Sequence, residues 1–219
     1  MIYRSLSLRS VLLVGVGLGL VVTACGPRKG LFYSLKDPEV FRASSPHEFH
    51  VIVLRLRDGR PLNEIRWERE AYPPEEDILG RIGERMADHF KEAGIFRQVE
   101  YVDIRDSDRE AGSSGLSKMN RDLAEERADF LLSGDLAHFW GIAGPGGEIE
   151  GLAGFEKLRL TRVRSGEVVW EGTFLKKLKR KEITPRTPHY YASEALRGAL
   201  NKVTQSLSGQ KLVPGGPAG

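Results

Sequence analysis

The spacing of apolar residues changes several times along the chain, and each change marks an element. Val11 to Val22 is unbroken apolar. His50-Val-Ile-Val-Leu-Arg-Leu56 is a β-branched run closed by Asp58-Gly59, the pattern of a strand followed by a turn. Residues 57–74 carry Pro61, Pro73 and Pro74 as breakers and predict a long loop. From Glu75 to Ala93 the period becomes helical. Ile78, Ile82, Met86 and Phe90 recur every four residues with Leu79 beside them. Glu75, Glu76 and Asp77 in the first turn suit the helix dipole, and Gly94 suits the C-terminal cap.

Phe96 to Ile104 reads as a second strand, followed by a charged, Gly- and Ser-rich loop over 105–115. Leu116, Met119 and Leu123 share one side of a shorter helix over 116–126. Asp129 to Trp140 is strand-like, with the continuous apolar centre Phe130-Leu-Leu132 of a strand buried on both faces. Gly144-Pro-Gly-Gly147 predicts a turn. Residues 152–163 and 167–178 predict two strands joined at the hairpin signal Arg164-Ser-Gly166. Tyr190 to Leu207 is a second strong helix, striped by Ala192, Ala195, Leu196, Ala199, Leu200, Val203 and Leu207.

The predicted order is β-α-β-α-β-β-β-α. Helices alternate with the first strands and a meander follows, which points to an α/β (α+β) fold with a mixed sheet of about five strands and three helices. One domain over 48–208 is expected. Residues 25–47, with Pro27, Gly30, Pro38 and Pro46, read as a tether, and residues 209–219 as a frayed tail.

Composition narrows the functional classes. With 219 residues, 40% of them hydrophobic and 29% charged, the chain supports a core. A net charge of +3 is too mild for a nucleic-acid partner, which would require a concentrated basic face. The single cysteine, Cys25, excludes an intrachain disulfide and a cysteine-clustered metal site. No cofactor is expected.

That cysteine follows a positive n-region with Arg4 and Arg9, the short apolar run, and small residues, which together form a secretory signal over residues 1–24. The run is short of the roughly 20 apolar residues that span a bilayer. Val22-Thr23-Ala24-Cys25 resembles the bacterial lipobox. The resemblance implies cleavage between Ala24 and Cys25 and acylation of Cys25, giving attachment to a membrane. Several acyl chains, at about 0.8 kcal/mol per buried CH₂, anchor stably where one alone does not. Removing residues 1–24 leaves 31 basic against 30 acidic residues, so the lipid and not the charge carries the attachment. Gly26 stands where an aspartate would imply retention at the inner membrane, so the resemblance implies the periplasmic face of the outer membrane, or the plasma membrane in a host without an outer one.

Four further stretches are Val51–Pro61, Gly94–Val99, Ala128–Asp135 and Arg164–Gly172. In their order of strand end, helix end, central strand and hairpin, they resemble the small α/β domain of bacterial envelope lipoproteins. Members are the YajG-like lipoproteins, the auxiliary lipoproteins of ABC-type lipid transporters, and the lipoproteins of curli and Pel polysaccharide secretion; the TolB N-terminal domain is related in fold. Leu31-Phe-Tyr-Ser-Leu35 resembles the opening of the ABC auxiliary branch. The resemblance spans roughly residues 48–208 and implies a non-enzymatic role, with no catalytic residue to carry over.

The remaining candidate chemistry is sparse. His47 and His50 form H-x-x-H on a predicted strand, where i and i+3 point to opposite faces and could not share a metal. His89, His138 and His189 are isolated. Ser113-Ser114 and Ser133-Gly-Asp135 lack the nucleophile elbow. Asp58 and Arg60 suit a turn in which the arginine pairs with the aspartate. The alternative is a partner-contact loop presenting Arg60, Trp67 and Tyr72, residue types enriched at interface hot spots. Lys176, Lys177, Lys179, Arg180 and Lys181 form the densest basic run. They read either as the charged end of an edge strand, which discourages edge pairing, or as a contact for phosphate headgroups.

The expectation is therefore a tethered accessory or assembly subunit of an envelope transport or secretion system, with envelope protein partners and scope for homo-oligomers. A direct carrier of lipid or glycan is the alternative, and it would need an apolar pocket between sheet and helices.

Overall fold

In the computed structural model, residues 41–44, 46–72, 76–103 and 128–212 are described. Among these residues nine elements follow one another: β1 (His47–Leu54), β2 (Arg57–Asp58), α1 (Leu62–Ala71), α2 (Ile78–Ala93), β3 (Phe96–Val102), β4 (Phe130–Ala143), β5 (Glu148–Arg162), β6 (Val168–Lys181) and α3 (Pro188–Ser208). The sheet runs β3-β1-β4-β5-β6, with the short β2 also pairing with β4. Pairings of β1 with β3 and β4 are parallel, and those of β5 with β4 and β6 are antiparallel. This is the mixed α+β sheet that the order of apolar periods implies. The helix predicted over 116–126 lies outside the described residues, as do Ala24, Cys25 and the tail beyond residue 212.

Strand alternation explains the continuous apolar runs. Val51 and Val53 of β1, with Phe130 and Leu132 of β4, face the main core. Ile52, Leu54 and Leu131, one residue out of phase, belong to a second small cluster with Val163. The main core joins this face to α2 and α3, and Ile82, Met86, Phe90, Leu196 and Val203 are buried in it. Asp77 caps α2 by accepting from the Gly80 amide at 3.1 Å. Gly94 closes the same helix with φ of 63°, a conformation glycine adopts without strain.

Two regions differ from the sequence expectation. Residues 62–71 form α1, not a loop: Pro61 occupies the N-cap, and no further proline or glycine interrupts the ten residues that follow. The antiparallel strands also run longer than predicted. β4 continues through Gly141 to Ala143, β5 begins at Glu148, and β6 reaches Lys181. Two glycines just outside the predicted strands, Gly141 and Gly151, are points of close approach. Gly141 pairs with Gly151 across β4 and β5, and both lie under the first turns of α3. A Cβ on Gly151 would stand 2.5 Å from the Tyr191 carbonyl oxygen. Gly151→Ala therefore pushes α3 off the sheet and is expected to cost about 2 kcal/mol, read as a lower urea midpoint at unchanged slope.

Candidate functional site

The residues singled out as a partner-contact loop are brought together, but inward. Arg60 follows β2 at a turn, and its side chain is only 2% exposed. Its Nε and Nη2 donate to the two Asp58 carboxylate oxygens at 2.8 Å each, and Nη1 donates to Glu68 of α1. Burial alone would raise the Asp58 carboxyl, but its hydrogen bonds and charge attraction to Arg60 outweigh this and hold it below the usual carboxylate range. Burial likewise opposes the Arg60 charge, and Asp58 and Glu68 outweigh it. Arg60 thus buckles the turn after β2 to α1.

A second fastening lies one turn along. The line of β1 and β2 along β4 ends at the Leu136 pairing, and among the described residues no strand follows on that side of the next stretch of β4. Glu64 of α1, buried, fills the place of a strand. One oxygen accepts from the Phe139 amide at 2.9 Å and the other meets His138 Nδ1 at 2.7 Å. Glu64→Leu removes the acceptor while leaving the amide buried, and it is expected to cost about 2 kcal/mol. Glu64→Gln, which keeps one acceptor, should cost less. Faster hydrogen exchange at the Phe139 amide would report the loss locally.

Beside these groups, Trp67 packs edge-on against Tyr72 and Phe139, with ring centroids 5.9 and 6.2 Å apart. Tyr72 stacks on His189 at the start of α3 at 4.4 Å. Burial holds the His189 imidazole below the ordinary histidine range. Tyr72 is 7% exposed and Trp67 half-buried. The reading of Arg60, Trp67 and Tyr72 as an exposed contact loop is thereby corrected. The segment is a helix whose ends need internal partners, and these residues supply them.

The basic run of β6 is divided by the strand's alternation. Lys176 and Arg180 lie on the α3 side: the Lys176 stem runs along Gly198, and Arg180 Nη1 meets Glu194 at 2.9 Å and Nη2 meets Glu182 at 2.6 Å. Glu182, hydrogen-bonded by Tyr191 and Arg180, is held below the usual carboxylate range. Lys177, Lys179 and Lys181 point to the opposite face, where Lys179 pairs with Glu150 at 3.1 Å and Lys181 with Glu148 at 3.5 Å. Lys179 and Lys181 thus pair across the strands and Arg180 with Glu182 and Glu194, which weakens the attraction of this part of the run for phosphate headgroups. Along the same open face Trp140, Leu152 and Lys177 form one row, and Leu175 is 47% exposed in the next.

Arg55 gathers charge at the ends of the parallel strands. It reaches Asp77 at the α2 cap and Asp103 at 3.1 Å after β3. The Tyr101 hydroxyl beside this cluster is pushed up to about 12 by burial. The histidine pair diverges as strand geometry requires. His47 Nε2 lies 3.3 Å from the Leu207 carbonyl, whereas His50 lies 3.8 Å from Glu100 of β3. Among the described residues, no group of three or more His, Cys, Asp or Glu side chains is placed to hold a metal ion.

No family model matches the chain, and no curated protein matches it. Solved structures similar to it include the PelC dodecamer from Paraburkholderia phytofirmans, at 16% identity and a TM-score of 0.47, covering 78% of this chain and 95% of that one. A DUF330 protein from Xanthomonas campestris is similar at 13% identity and a TM-score of 0.44, covering 78% and 88%. The lipoprotein GNA1162 from Neisseria meningitidis is similar at 13% identity and 0.38, covering 74% and 99%. Likeness at this level carries no role over to this chain.

Proposed function

We propose that this chain is an acylated lipoprotein, held by Cys25 at the periplasmic face of the outer membrane. Its α+β domain would serve, without catalysing a reaction, as an accessory or assembly subunit of an envelope transport or secretion system. The observation that carries the proposal is the sequence Val22-Thr-Ala-Cys25 at the end of an apolar run too short to span, placed before a separate folded domain. The domain adds support. Arg55, Arg60, Glu64, Arg180 and Glu182 are engaged with neighbouring groups that hold the fold, which suits a scaffold. Tethering confines such a scaffold to two dimensions and raises its effective concentration near membrane partners.

Fractionation of the host envelope tests this reading. The native protein should sediment with the outer membrane, Gly26→Asp should move it to the inner membrane, and Cys25→Ser should release it from the lipid anchor. Crosslinking in the intact envelope should then trap the same envelope protein repeatedly. A native protein that leaves with the soluble fraction would overturn the anchor, and an envelope that yields no reproducible adduct would overturn the accessory role.

A further inference from the structure

β6 closes one side of the sheet, and among the described residues no strand pairs with its outer edge. It is a 14-residue strand, long for an edge, and long unpaired edges are templates for another strand. Its charges are distributed unevenly. Glu171 lies in the first half, and Lys176, Lys177, Lys179, Arg180 and Lys181 crowd the second. A parallel neighbour of the same sequence would set lysines beside lysines. An antiparallel one sets acid against base.

We infer that a second copy of this chain pairs with β6 antiparallel about a two-fold axis at Leu175, joining two sheets into one. In this register Glu171 faces Lys179 of the second copy. Glu171 already lies across from Arg159 at 3.0 Å, and Lys179 from Glu150 at 3.1 Å. One row of alternating charge, Arg159, Glu171, Lys179 and Glu150, then crosses both molecules without a like-charge neighbour. On the axis the exposed Leu175 meets its own copy beside Gly154, covering apolar surface that the single chain leaves in water. Residues 173 and 177 face each other two residues out from the axis.

The backbone at the axis points the right way. The Leu175 carbonyl is turned outward, where Lys202 of α3 donates to it at 2.7 Å. Lys202 is exposed and guards the edge in the single chain, and it moves into solvent when a strand takes its place. α3 also leaves room. The two β5 strands would stand three strand spacings apart, about 14 Å, while helices pack side by side at about 10 Å. Lysines along an edge discourage pairing with strands in general, and here Glu171 makes the edge selective for its own sequence.

The full chain carrying Cys25→Ser, purified in detergent, tests this by molar mass and by crosslinking. The mass should double with rising concentration. Leu175→Cys should form an intermolecular disulfide on mild oxidation, because a hydrogen-bonded antiparallel pair sets the two Cα atoms about 5.5 Å apart, within disulfide reach. Thr173→Cys alone should not, whereas Thr173→Cys with Lys177→Cys should. Glu171→Lys should loosen association about tenfold, and Lys202→Ala should tighten it about threefold. Leu175→Pro should melt like the parent but stay single, since an outward N–H is one an edge strand can lose. A chain that stays single at all concentrations, or crosslinks equally through residues 173 and 175, overturns the inference.

Discussion

Arg60→Ala is expected to cost about 3 kcal/mol of folding stability, because removing one partner of a buried ion pair leaves the others uncompensated. The guanidinium is held by Asp58 and Glu68 on opposite sides, so a single truncation strands two carboxylates, one of them only 17% exposed. Lysine is not a sufficient replacement. It keeps the charge but cannot offer Nε and Nη2 together to Asp58. Arg60→Lys should therefore recover less than half of the loss. Adding Asp58→Asn and Glu68→Gln to Arg60→Ala should recover more, since neither carboxylate then stays charged and unpaired. Urea unfolding of the four proteins distinguishes these outcomes. A loss below 1 kcal/mol for Arg60→Ala would mean that the buckle between β2 and α1 contributes little.

The second large effect is set by pH. His89 sits on α2 among core residues and is fully buried. Burial, with Arg85 nearby, lowers its imidazole to about 4, against the partial opposition of Glu92 and Asn201. The folded protein thus resists a proton that the unfolded chain accepts near the ordinary histidine value of 6.5. Between these values the unfolded state binds more protons, so stability falls as pH falls through this window. At about 1.4 kcal/mol per pKa unit, the loss between pH 7 and pH 4 is on the order of 3 kcal/mol. Depressed carboxylates such as Asp58 add their losses at lower pH, below the ordinary carboxylate range. His89→Leu should flatten the profile between pH 6.5 and pH 4 and leave the more acidic limb intact. An unchanged slope would place the acid sensitivity elsewhere.

Periodicity carried most of the fold. α2 and α3 were legible because their stripes are long, and that of α2 ends at a clear signal, Gly94. β1 and the start of β4 were legible because strands buried on both faces are apolar at consecutive positions. α1 was not. Its inward groups are Glu64 and the half-buried Trp67 and not an aliphatic stripe, and prolines bracket it. One signal was available: a structureless stretch as long as residues 57–74 is uncommon in a compact domain, and ten residues after Pro61 lack a breaker.

The chemistry was legible in part. The pairing of Arg60 with Asp58 follows from two residues of sequence separation. The partner Glu68 and the strand-capping role of Glu64 depend on where α1 lies, which local sequence does not specify. The basic run of β6 reads as one patch in sequence, yet alternation sends its members to two faces, each with acids supplied by β5 or α3. A charge pattern becomes a surface only after register is known.

Every functional statement rests on Cys25 being the first residue of the mature protein and carrying lipid. Intact-mass measurement of the protein extracted from its own envelope, with fragmentation of the N-terminal peptide, tests this most directly. The expected species is a chain that begins at Cys25 and bears a thioether-linked diacylglycerol with an additional N-acyl chain. A chain that begins elsewhere, or an unmodified thiol at Cys25, would contradict it.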